Sequence, residues 1–129
     1  MLSVYIYFAV IYFIVDMIWI TLSSKFHKSA LQSVQNKPLK IDMISGTLYY
    51  IVIPFIISYV ISVYTKTFSD ALRLGAILAV LMFATFELTN KTVFENYPYW
   101  YAGMDFVGGV SSIVLSLYIA MSLAKLHRL

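Results

Sequence analysis

The chain has 129 residues, a net charge of +3 and no cysteine, with 61% of its residues hydrophobic and only 12% charged. Soluble domains carry about 25% charged residues, and a small globule leaves much of its chain exposed, so a soluble core is excluded. Disulfides, thiolate metal sites and cysteine nucleophiles are excluded too, and the basic residues gather at the ends of apolar runs, which suits lipid head groups rather than nucleic acid.

The chain reads as one membrane domain, residues 1–129, with mean hydropathy +0.84. About 20 helical residues cross a bilayer. The first run, 2–24, is apolar except for a few positions that include Asp16, and it lacks the basic start and small-residue cleavage site of a signal peptide. A polar, basic loop follows, with a short interfacial helix expected over 26–34. The second span, 41–63, opens on Asp42 and carries Pro54 mid-run, where a kink is expected. Asp70 is expected as the acid at the start of the next helix. The third span, 71–90, ends in Ala84-Thr85-Phe86-Glu87-Leu88-Thr89-Asn90. An aromatic loop leads to the fourth span, 103–124, and a basic tail of Lys125, His127 and Arg128 closes the chain. The fold class is therefore all-α, an integral membrane four-helix bundle in the lipid bilayer. Asp42-Met43-Ile44-Ser45-Gly46 and Asp105-Phe106-Val107-Gly108-Gly109 open the second and fourth spans alike, which is compatible with two pseudo-repeated helical hairpins.

Topology gathers the polar residues. Asp16, Asp42, Glu87 and Asp105 all fall in the half of the membrane nearer loops 1 and 3, whichever way the protein is inserted. Tyr12, Asp16 and Trp19 share one helical face, as do Glu87, Asn90 and Lys91, and as do Asp105, Gly108, Gly109, Ser112 and Ser116. The four-residue spacing of Gly108, Ser112, Ser116 and Ala120 allows close helix approach. An ionisable residue inside a span is by default a functional-site candidate. Asp16, Trp19, Glu87, Asn90 and Asp105 are thus expected to form an acidic pocket. Tyr12, Tyr49, Thr85, Lys91, Gly108 and Gly109 are expected to support it. Lys91 is placed to pair with Glu87 one turn away, and two carboxylates held close would share a proton. Asp42 reads as a helix cap. His27 and His127 read as peripheral, with no metal-like spacing, so no metal site is expected and no cofactor is indicated.

Asp16-x-x-Trp19, the Ala84–Asn90 stretch and Asp105-x-x-Gly108 resemble a family of small four-span membrane proteins known only as a domain of unknown function. The resemblance covers essentially the whole chain. Family members usually have aspartate where Glu87 stands, and often tryptophan where Val107 stands. The resemblance implies architecture and site position, and it brings no activity.

Three functions remain open on the residues. The first is binding or transport of a proton, a cation or a small cationic solute, with cation–π help from Tyr12, Trp19 and Trp100. So small a chain would need a second copy, a homodimer, to enclose a pathway. The second is an enzyme acting on a lipid or isoprenoid through carboxylates, since there is no HExxH, DDxxD or Ser-His pair. The third is an accessory protein whose polar groups only fix helix packing.

Overall fold

The computed structural model describes residues 1–126, so His127 and Arg128 of the expected basic tail lie outside the described residues. Five helices follow in chain order: α1 (Leu2–Leu22), α2 (Ser24–Gln35), α3 (Met43–Tyr64), α4 (Phe68–Val93) and α5 (Tyr99–Leu126). All but α2 are long and apolar enough to cross a membrane. Their outer faces carry large exposed apolar side chains such as Ile14, Ile18, Ile51, Phe55, Ile77 and Leu81. Water cannot cover such a surface cheaply and lipid can, so the protein is an integral, multi-pass membrane protein.

Local chemistry sets the helix ends. Asp42 caps α3, its carboxylate accepting from the backbone N–H groups of Ile44 at 2.9 Å and Ser45 at 3.1 Å. Thr67 caps α4, accepting from the Asp70 N–H at 3.1 Å. Asp70 therefore sits inside the first turn, where a carboxylate meets the positive end of the helix dipole, and α4 starts at Phe68 rather than after Asp70. Asn36 ends α2 in the left-handed region at φ 54°, a conformation asparagine tolerates. Pro54 lies buried inside α3, which stays helical through it.

The spanning helices pack as a ring: α1 against α3, α3 against α4, α4 against α5, and α5 back against α1. The pairs α1–α4 and α3–α5 stand diagonally and do not pack on each other. The core combines Phe8 and Tyr12 of α1, Ile57 and Ile61 of α3, and Ile113, Leu117 and Met121 of α5. Helix α5 supplies the close approaches. Its small-residue ridge faces inward, with Ser112, Ser116 and Ala120 buried. A side-chain carbon on Gly108 would collide with the Trp19 ring, and one on Gly109 with the Phe83 ring. The two glycines thus let α1 and α4 press aromatic rings onto the α5 backbone from two sides.

Helix α2 lies along the end of the bundle where α1 ends and α5 begins. Its Ala30, Leu31 and Val34 pack on Tyr97, Tyr101, Ala102 and Met104. This small second core covers the side on which the acidic residues sit.

Candidate functional site

Each carboxylate of this half-membrane is held differently. Asp16 is 7% exposed on α1, and its Oδ2 accepts a 2.6 Å hydrogen bond from the Tyr50 hydroxyl of α3. One turn earlier, Tyr12 and Tyr49 share a hydroxyl–hydroxyl bond of 2.6 Å. Three tyrosines therefore knit α1 to α3 around Asp16, and the direct donor is Tyr50 rather than Tyr49.

Glu87 is 4% exposed on α4. Its Oε2 accepts a 2.7 Å hydrogen bond from Tyr97, in the segment between α4 and α5, while its Oε1 has no hydrogen-bond partner. Asp105 of α5 is in electrostatic range of Glu87. Asp105 is also in electrostatic range of Asp16. It is the neighbour common to both.

Lys91 does not pair with Glu87. Its Nζ donates to the Glu95 carbonyl at 3.2 Å and lies 4.5 Å from the centre of the Tyr99 ring. A long cationic side chain at a helix end gains by turning its charge outward, and Tyr97 already occupies the Glu87 carboxylate. His27 of α2, expected to be peripheral, stands beside Asp105 instead. Its Nδ1 is 2.8 Å from the Tyr101 hydroxyl and 3.9 Å from the Asp105 carboxylate, and its Nε2 is buried without a partner. The rings of Trp19 and Tyr101 stand edge-on to the imidazole.

The remaining expected residues divide. Trp19 closes the site from α1, and its Nε1 is buried without a partner. Asn90 lines a groove of about 570 Å³ between α3 and α4. Thr85 lines the same groove. Gly108 forms the seat of Trp19, and Gly109 that of Phe83. Burial, then donation to the Glu87 carboxyl, pushes the Tyr97 hydroxyl above the ordinary tyrosine range, with Asn90 opposing. Tyr97 therefore remains a proton-bearing donor across the physiological range.

His27, Tyr50, Tyr97 and Tyr101 are the contributors that sequence reasoning missed. The signal was present in part: His27, Ala30, Leu31 and Val34 follow helical spacing on α2, and Tyr97 and Tyr101 stand four apart. Among the described residues, no group of three or more His, Asp or Glu side chains is arranged to hold a metal ion. Among the described residues, the arrangement offers carboxyls with one histidine and no lysine or arginine ion-paired to them.

No curated protein and no solved structure matches the chain. A family model does, over residues 1–122, under the description "Predicted membrane protein (DUF2177)". With nearly the whole chain matched, four apolar helices in place and no activity attached to that description, the protein belongs to the DUF2177 family of predicted membrane proteins.

Proposed function

We propose that this membrane protein binds a proton at the carboxyls of Asp16, Glu87 and Asp105, with His27 beside them. The observation that carries the reading is Glu87 Oε1, a buried acceptor without a donor, beside a second carboxyl. An uncompensated buried charge is costly, and such groups pair, neutralise or bind a counter-charge. Tyrosine hydroxyls hold one oxygen each of Asp16 and Glu87, and Glu87 Oε1 is left to the ligand. The residues pack tightly against one another, which favours a proton or a small ion over an organic cation.

The test uses the full chain in lipid nanodiscs. Infrared difference spectra are recorded as pH is stepped, with and without sodium or potassium. A carboxylic-acid band that titrates in the parent and is lost in both Glu87→Gln and Asp105→Asn supports the reading. A band displaced by sodium or potassium would assign the site to an inorganic cation instead. A spectrum without any titrating carboxyl, in a parent and variants that all fold, leaves the tyrosine–carboxylate bonds as helix clamps and sinks the proposal.

A further inference from the structure

The opposite end of the bundle holds a separate cavity of about 480 Å³, formed where α1 and α4 begin and α3 and α5 end. Ser58, Lys66, Thr67 and Lys125 line it, with apolar walls from residues such as Val4 and Met121. Ser58 is 1% exposed, and its Oγ has no hydrogen-bond partner. That is unusual in this chain. Thr65, Ser116 and Ser122 all return their hydroxyls to a carbonyl one turn back, the ordinary outlet for a hydroxyl in a membrane helix. Ser58 leaves its hydroxyl free at the cavity instead.

Lys66 and Lys125 are exposed, so they stand at the mouth while Ser58 stands at the base. Thr67 is already engaged, its hydroxyl donating to Asp70 at 2.7 Å. The start of α4 is thus capped by the Thr67 hydroxyl with Asp70 behind it, and the two lysines are left to recognise an anion. Cations at the rim, a hydroxyl below them and apolar walls between them match a molecule with the same sequence of chemistry: a phosphate, an ester-bearing backbone and an acyl chain. Inorganic phosphate would meet the lysines but make no use of the walls.

We propose that this cavity binds an anionic phospholipid, its phosphate at Lys66 and Lys125 and its ester region at Ser58. The site is at the far end from the carboxyl cluster and does not depend on that reading. The full chain is placed in nanodiscs of phosphatidylglycerol and phosphatidylcholine in equal parts, extracted in mild detergent and weighed by native mass spectrometry. The parent should retain phosphatidylglycerol in preference to phosphatidylcholine. Lys66→Gln with Lys125→Gln should lower that preference several-fold, and Ser58→Ala should weaken retention even if the lysine variant does not fold. Arg73→Gln, a cation of the same bundle end outside the cavity lining, should leave the preference intact. Equal retention of the two lipids by the parent overturns the proposal, as does a preference unmoved by the cavity variants. Displacement of the lipid by inorganic phosphate would show that free phosphate is the ligand, and the lipid assignment would fall.

Discussion

The Tyr97 hydroxyl donates to Glu87 Oε2 at 2.7 Å, tying the segment between α4 and α5 back onto α4. Tyr97 is 2% exposed, so the bond is sealed from water. Tyr97→Phe keeps the ring and removes the donor, leaving both Glu87 oxygens unpaired. The expected loss is about 1–3 kcal/mol, the penalty for a buried acceptor stripped of its partner. Chemical denaturation in detergent micelles measures it, and an unchanged midpoint would contradict the bond's contribution.

The same bond carries a pH signature. The Tyr97 hydroxyl is held above its ordinary range by burial and by Glu87. Its stabilising contribution is therefore complete below about pH 10, the value for a free tyrosine, and is lost as pH rises through the higher folded value. The stability gap between the parent and Tyr97→Phe should narrow only above about pH 10. A gap that narrows near neutrality would point to another group.

Gly108 is constrained by the Trp19 ring, which occupies the space of a side chain. Gly108→Ala should push the indole aside and cost about 1–3 kcal/mol by overpacking. In a Trp100→Phe background, Trp19 fluorescence reports the displacement directly. Combining Gly108→Ala with Trp19→Ala should cost less than the sum of the two, because the clash disappears with the ring.

Asp42 is a separate matter. Asp42→Ala removes the acceptor of two backbone N–H groups at the start of α3 and should cost about 1 kcal/mol. Proton uptake by the Asp16–Glu87–Asp105 cluster should be unchanged, as read by the same infrared titration. Loss of that titration in a folded Asp42→Ala protein would extend the site to the first loop.

The bundle itself was legible in the sequence, because long apolar runs admit almost no other structure in lipid. The cap of Asp42 was legible as well, since an acid just before an apolar run has one common use. The start of α4 was legible only in part: Asp70 read as the acid of the helix start, but Thr67, which caps the helix and bonds to Asp70, read as part of the connection. The placement of Lys91 was not legible. Helical spacing brings it within reach of Glu87, but the choice between a carboxylate and Tyr99 depends on Tyr97, which arrives from another element. His27 and the tyrosines near it were hidden for a related reason. Aromatic residues at a membrane edge ordinarily anchor to lipid, and only the folding of α2 over the bundle end turns these rings inward.

The diagonal placement of α1 and α4 has a mechanical meaning. The helices carrying Asp16 and Glu87 do not pack on each other, and Asp105 of α5 neighbours both carboxyls. The two outer carboxyls thus share Asp105 as a common neighbour. That helix is held between two aromatic rings, Trp19 on Gly108 and Phe83 on Gly109. A small rotation of α5 about its own axis would carry Asp105 away from one carboxyl and toward the other, making a single helix the crankshaft of the site.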